Sequence, residues 1–247
     1  MGRKKLSKYE TEVIEELQDT TNSGEDYKGV LIVDNYAKEN SQAIQNVRSA
    51  VEDAGYEPEV IRHSEANKIV KSGNDFSEGY DAVLTSGSGG TWKKTTGKDK
   101  KGRTYVSKKD AVHEQLSKQS KPVYAICGGG HAMAEALGHE VVDTGKFNKG
   151  ERDGNFYNHK YGVPVEGLGN AVRNLKTLKH QKQKYADSFE QGNMKFVQHH
   201  TERTEGGRKD IAAFLKQYAP RNKKRLGDLL GTPADDNYSP VQYENAA

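Results

Sequence analysis

The 247-residue chain predicts an α/β fold, an open and mostly parallel sheet flanked by helices. Three observations predict it. Short, wholly apolar runs such as Val30-Leu31-Ile32-Val33 and Val123-Tyr124-Ala125-Ile126 read as strands buried on both faces. The first run leads through a helical pattern into a second short strand, which is a βαβ unit and calls for parallel pairing. Several runs end in glycines or polar residues, at the strand ends where open parallel sheets place their chemistry.

Taken in order, residues 1–27 are charged and polar and read as an N-terminal extension, with Val13, Ile14 and Leu17 allowing a short helix. One domain is expected over residues 28–219. It opens with a strand, Gly29 to Asn35. From Asn40 or Ser41, either able to cap, a helix buries Ile44, Val47, Val51 and Ala54 and ends at Gly55. Pro58 to Ile61 is the next strand, and Ala82-Val83-Leu84-Thr85 the third, running into Ser86-Gly87-Ser88-Gly89-Gly90. A lysine-rich loop over Thr91 to Arg103 precedes a helix around Ser107 to Gln119. After the Val123 strand and its helix, Val141 and Val142 begin a less regular stretch rich in Gly, Asn and Lys. Met194 to Val197 reads as a strand and Asp210 to Tyr218 as the last helix, stopped by Pro220. Residues 220–247 read as a basic, then polar, tail.

Composition narrows the class. A single cysteine leaves no intramolecular disulfide and suits a reducing compartment. No apolar run reaches the length that crosses a bilayer, and Met1-Gly2-Arg3-Lys4-Lys5-Leu6 leads into polar residues with no signal-peptide core. A soluble cytoplasmic protein, with no membrane partner, is expected. A net charge of only +3 gives no whole-molecule argument for nucleic acid. The local runs Lys93–Lys101 and Arg221–Arg225 read as a solvated loop and tail.

The chain is organised around Val123 to Gly138. A buried strand stops at Cys127, three glycines follow, and a helix begins with Ala132, Met133, Ala136 and Leu137 on one face. Strand, nucleophile, glycines and helix in that order describe a nucleophile elbow. A thiol at a helix N-terminus also sits in a field that favours thiolate. Against this stands the common fate of a lone cysteine, a small buried core residue.

Two further strand ends can converge on Cys127: Gly87 with Ser88, and His200 with Glu202. In an extended segment residues two apart point to one side, so the Glu202 carboxylate can orient the His200 imidazole. Cysteine, histidine and acid make a nucleophile, a base and an orienter. Backbone N–H groups of Gly128 and of the Gly87 loop can hold an oxyanion. Taken singly, the His199-His200 pair reads as surface histidines and the Ser86–Gly90 run as a flexible turn. That run lacks the Gly-Lys-Ser/Thr ending of a P-loop. His199, His200 and Glu202 lack a third histidine at helical spacing, so no metal site is expected.

Over residues 29–219 the chain resembles a class I glutamine amidotransferase domain. That family's elbow reads Gly-Ile-Cys-x-Gly-His-Gln-x-x-Ala-x-x-Leu-Gly, matched by Ala125-Ile126-Cys127-Gly128-Gly129-Gly130-His131 through Ala134, Leu137 and Gly138. Its Val-Gln-Phe-His-Pro-Glu signature falls on Val197-Gln198-His199-His200-Thr201-Glu202, and its oxyanion loop on Leu84-Thr85-Ser86-Gly87-Ser88-Gly89. The opening Leu31-Ile32-Val33-Asp34-Asn35-Tyr36 is similar to the first strand of GMP, anthranilate and aminodeoxychorismate synthase subunits.

The resemblance implies a flavodoxin-like architecture and a glutaminase working without a cofactor. Cys127 attacks the glutamine amide, Gly87 and Gly128 amides hold the oxyanion, and His200, held by Glu202, moves the protons. Ser88 and His131 fall on substrate-binding positions. The ammonia passes to a synthetase subunit on another chain, with GMP synthase the leading named partner. The chain departs from the family at His131 (usually Gln), Gly130 (His or Met), His199 (Phe), Thr201 (Pro) and the loop serines (Pro). These departures keep open a cysteine hydrolase acting on another γ-glutamyl compound or amide, and a non-catalytic binding protein on the same fold.

Overall fold

A computed structural model of the chain describes residues 29–36, 41–88, 95–98, 104–107 and 110–219. The expected polar extension, residues 1–27, and the tail, residues 220–247, lie outside the described residues.

The first half builds as its apolar pattern requires. Strand β1 (Val30–Asp34) is buried along its whole length and pairs in parallel with β2 (Pro58–Arg62) on one side and β3 (Ala82–Thr85) on the other. Helix α1 (Gln42–Asp53) begins where the Ser41 hydroxyl accepts the Ile44 N–H at 3.4 Å. Just beyond its end, Gly55 adopts φ +84°, a conformation that favours glycine. Helix α2 (His63–Lys71) follows β2 directly, with the Glu65 carboxylate accepting the Arg62 N–H at 3.2 Å. No helix is expected here from the sequence, although Ala66, Ile69 and Val70 lie at helical spacing.

The loop expected over Thr91 to Arg103 contains a strand, β4 (Thr95–Lys98), antiparallel to β5 (Thr104–Ser107). Ser107 therefore ends a strand, and α3 runs only over Ala111–Ser117, started by the Asp110 carboxylate accepting the His113 N–H at 3.0 Å. Strand β6 (Val123–Ile126) follows as expected, while helix α4 (Cys127–Ala136) begins at the cysteine itself, with the three glycines inside its first turn rather than ahead of it.

The stretch after Val141 is regular. It forms two antiparallel pairs, β7 (Val142–Arg152) with β8 (Asn155–Gly162), and β9 (Arg173–His180) with β10 (Gln183–Gln191). Asp153 and Gly154, with φ of +50° and +73°, make the first turn, a two-residue connection of the kind Asp-Gly favours. Gln181 and Lys182 make the second with φ of +52° and +65°, and neither residue type announces a turn. Strand β11 (Met194–Val197) and helix α5 (Glu205–Tyr218) complete the domain. Helix α5 starts at Glu205 rather than at Asp210, beside its first apolar residue, because the Thr204 hydroxyl caps it at Gly207 N (3.1 Å).

Seven strands form one sheet in the order β2-β1-β3-β6-β11-β10-β9, parallel through β11 and antiparallel beyond it. Five helices flank it among the described residues. Alternation along β1 divides the core. Val30 and Ile32 pack with Ile44, Val47 and Val51 of α1 and with Ile211, Phe214 and Leu215 of α5. Leu31 and Val33 pack with Ala66 of α2, Val112 and Leu116 of α3, and Met133 of α4. Burying both faces removes the polar alternation an exposed sheet would show, which is why these strands read as unbroken apolar runs. A second, antiparallel sheet has the order β4-β5-β7-β8.

Candidate active site

The strand order positions the site. β3, β6 and β11 are neighbours in the sheet, and their C-terminal ends deliver Ser86–Ser88, Cys127 and Gln198–Glu202 side by side. Parallel pairing makes these ends coincide at one edge. Thr85 lies opposite Ala125, and Ile126 opposite Val197.

Cys127 has φ +45°, a left-handed conformation that costs a non-glycine residue about 1–3 kcal/mol and is retained where surrounding structure enforces it. The enforcement is visible. The next turn of α4 is glycine, and a Cβ on Gly129 would lie 2.5 Å from Ser86 O and 2.6 Å from Thr85 Oγ1. That close approach lets the Gly129 N–H donate to Ser86 O at 3.1 Å, tying the elbow to the loop after β3. Gly128 lies against Ser88 in the same way, its added Cβ falling 2.7 Å from Ser88 N. Cys127 is 5 % exposed, a thiol set just beneath the surface.

His200 and Glu202 meet as a pair, the imidazole Nδ1 and Glu202 Oε1 being 2.8 Å apart. The segment is not extended, as the two-residue spacing predicts it to be. His200 precedes a 3-10 turn over Thr201–Arg203, closed by the Arg203 N–H donating to His200 O at 3.1 Å. The turn brings the carboxylate back under the ring. Glu202 is 1 % exposed, and its Oε2 makes no hydrogen bond among the described residues. Burial alone would push the His200 imidazole down. The Cys127 sulfur, through charge and a hydrogen bond, and the Glu202 carboxylate outweigh it and push the pKa up to about 10. Cys127, His200 and Glu202 thus behave as one coupled unit.

Strand β8 fixes the histidine from the other side. The His200 N–H donates to Phe156 O at 2.7 Å, the two rings meet edge-on at 6.1 Å, and the Arg203 guanidinium covers Phe156 at 4.5 Å. Tyr36 closes the site over Gly87. A Cβ on Gly87 would lie 2.7 Å from Tyr36 Oη and 3.1 Å from His200 Cε1, so only glycine lets the three share this space. Burial, with Glu202 and Cys127 adding, pushes the Tyr36 phenol up, which keeps it an O–H donor. Neither Tyr36 nor Phe156 stands out in the sequence as a site residue. The signal for Tyr36 is its place at the end of the first strand.

The fold therefore brings Cys127, His200, Glu202, Gly87, Gly128 and Ser88 together. His131 is held differently. It is 1 % exposed, with its ring 6.1 Å from His159, 6.4 Å from Tyr161 and 6.0 Å from Phe196, packed beneath β8. Behind the site, ligand-type atoms of His63, Asp110 and His113 lie within 4.8 Å of one another, the metal-type grouping found among the described residues. Both carboxylate oxygens of Asp110 already accept from these histidines, so the trio is built as a hydrogen-bonded chain.

A buried cysteine on a left-handed elbow, paired with histidine and acid from the next strand, suits acyl transfer through a covalent thioester. Comparison with known proteins agrees in family. The model of the family "Glutamine amidotransferase class-I" matches residues 31–216. Comparison with curated proteins gave no match. Among solved structures, the chain is similar to a protein described as a GMP synthase subunit from Thermoplasma acidophilum, at 16 % identity and a TM-score of 0.50, covering 76 % of this chain and 94 % of that one. It is also similar to a glutamine amidotransferase from Thermotoga maritima, at 17 % identity and a TM-score of 0.43, covering 82 % and 88 %. The first likeness is one of fold. With the family match spanning most of the domain and the elbow at its expected place, the chain belongs to the class-I glutamine amidotransferases.

Proposed function

We propose that this protein is a glutaminase subunit that hydrolyses glutamine and hands ammonia to a separate synthetase. The observation that supports it most directly is Cys127 at φ +45° beside a His200 that Glu202 holds at 2.8 Å. Cys127 Sγ attacks the glutamine side-chain carbonyl, and the oxyanion that develops accepts from the Gly87 and Gly128 N–H groups. The His200 imidazolium donates its proton to the departing nitrogen, which leaves as ammonia, and a thioester remains. Water then attacks the thioester with His200 as base, releasing glutamate and restoring the thiol. Glu202 holds the ring in register throughout. No metal or cofactor enters these steps.

A synthetase of the GMP synthase kind is the proposed ammonia acceptor, supported by the description of the Thermoplasma acidophilum protein as a subunit of that enzyme. A second reading, a hydrolase acting on another γ-glutamyl amide, is favoured by one observation. His131 stands at the position the resemblance assigns to substrate binding, yet packs among His159, Tyr161 and Phe196.

The test is glutamate release from glutamine by the wild type and by Cys127→Ala, each with and without candidate synthetases. Release that requires Cys127 and rises with one synthetase is the expected result. Release from other γ-glutamyl amides but not from glutamine moves the assignment to the second reading. A Cys127 inert to electrophilic glutamine analogues, with no release at all, leaves a binding protein and refutes both.

A further inference from the structure

The loop that carries Gly87 is held from behind by a chain of buried polar groups unrelated to the Cys127–His200–Glu202 unit. Asn35 Nδ2 donates to Ser86 O at 2.7 Å and to Thr85 Oγ1 at 2.8 Å, while the Asn35 N–H donates to Ser86 Oγ at 2.9 Å. The Ser86 hydroxyl in turn donates to Gly87 O at 2.9 Å. On the far side, Thr85 Oγ1 lies 2.9 Å from His113 Nε2, and His113 Nδ1 lies 2.7 Å from Asp110 Oδ2. Asp110 Oδ1 accepts the His113 N–H at 3.0 Å and faces His63 Nε2 at 3.1 Å. Asn35, Thr85, Ser86 and His113 are all buried to within about one per cent.

The donor directions close in one sense. The Asp110 carboxylate can only accept, so His113 donates to it from Nδ1. In that tautomer Nε2 is an acceptor and takes the Thr85 hydroxyl proton, while a lone pair of Thr85 Oγ1 accepts from Asn35. The start of α2 and the start of α3 are joined to the loop by this chain. Thr85 and Ser86 also bound the space that Gly129 of the elbow occupies.

We propose that Asp110, His113, Thr85 and Asn35 are positioning residues that fix the Ser86–Gly87 backbone, and with it the Gly87 N–H, where the oxyanion of the reaction forms. The proposal rests on the amide-hydrolysis reading above. An oxyanion donor acts through its exact placement, and removing one costs about a hundred- to a thousand-fold in kcat. A donor displaced by a loosened support loses part of that, on the order of ten-fold or more.

Thr85→Val removes the central hydroxyl at constant shape, and Thr85→Ser keeps it. Four quantities are read for both: kcat and KM for glutamine, the rate of Cys127 alkylation by iodoacetamide, and hydrogen exchange at the Gly129 amide, which bonds Ser86 O. Alkylation develops no oxyanion and reports the ionisation and access of the thiol apart from the oxyanion donors. The expected result for Thr85→Val is kcat lowered about ten-fold or more, KM and alkylation within about two-fold, and faster Gly129 exchange, with Thr85→Ser restoring most of each. Wild-type kcat and exchange in Thr85→Val would overturn the proposal. So would alkylation falling in step with turnover, which marks general disruption. If the wild type releases no glutamate while Cys127 still alkylates, it is the glutaminase reading that fails. The chain is then judged on exchange alone: faster in Thr85→Val and restored in Thr85→Ser supports it, and no difference overturns it. Should Thr85→Val not fold, Asp110→Asn serves with the same readouts. Its amide faces His113 Nδ1 with a donor, forcing the imidazole proton to Nε2 and reversing the chain.

Discussion

His200 is the residue at which the charges of the site meet. It is buried, yet its pKa rises to about 10 from an ordinary 6.5 because the Cys127 sulfur and Glu202 favour the imidazolium. A group whose pKa is raised on folding binds more protons in the native state than in the unfolded chain between those two values. Its contribution to stability is therefore complete below about pH 6.5 and is lost as pH climbs through about 10. Cys127→Ala removes the larger of the supporting partners, so its alkaline loss of stability should begin at lower pH than in the wild type. Denaturant unfolding of both proteins at stepped pH from 6 to about 10 measures this, and superimposable alkaline limbs would refute the coupling. Cys127, His200 and Glu202 were legible in the sequence because residue type, spacing and strand-end position coincided. Tyr36 and Phe156 were not, because their contacts depend on which distant strands become neighbours.

At the scale of elements, the elbow depends on how closely α4 approaches the loop after β3. Gly129→Ala would drive a methyl into Ser86 O and Thr85 Oγ1 at 2.5 and 2.6 Å. Neither atom ends a flexible side chain that could swing away. Overpacking of this kind costs about 1–3 kcal/mol, and because the displaced atoms hold the Gly87 loop, turnover should fall along with stability. Chemical unfolding with parallel assay of glutamate release tests both. The parallel strands were readable for the reason that buries them: helices cover both faces and leave no polar alternation. Strand β9 fails that test, since none of its side chains is fully buried and only its pairing with β10 defines it. Helix α2 buries Ala66 alone, so its apolar stripe is too thin to stand out against His63, Ser64, Glu65, Asn67 and Lys68. The β7–β8 hairpin reads from the sequence only as a less regular stretch, although its Asp153-Gly154 turn is a dipeptide of the kind that joins two strands.

Across the whole molecule, the two sheets meet at the site. β8 belongs to the smaller sheet, yet its Phe156 carbonyl holds His200 and its His159 contacts Gln198, the residue that follows β11 of the larger sheet, at 3.3 Å. Burial, with the nearby His200 charge adding and the Tyr161 carbonyl opposing, lowers the His159 pKa to about 4. Here the linkage has the opposite sign. Between about pH 6.5 and 4 the unfolded chain takes up a proton that the native protein resists, so stability falls as pH falls. His159→Gln, which cannot charge, should flatten the acid limb of the stability profile while leaving its alkaline limb in place. Thermal melting from pH 8 down to about 4 checks it, and an unchanged acid limb would exclude His159 as its source. The joint between the sheets was not legible, since the Phe156 carbonyl, the His159 imidazole and the Tyr157 hydroxyl, which donates to Asp187 Oδ1 at 3.1 Å, carry no sequence signature.

The left-handed backbone at Cys127 has a further consequence. At this one position the amino acid that the chemistry requires and the amino acid that the fold would prefer are different. Glycine adopts φ +45° freely, whereas any residue with a Cβ pays about 1–2 kcal/mol there. Replacing Cys127 by glycine should therefore give a protein about 1 kcal/mol more stable than replacing it by alanine, reversing the order found at an ordinary helical site. At this position the backbone favours glycine, and it is the chemistry of the sulfur, not the conformation of the chain, that calls for cysteine.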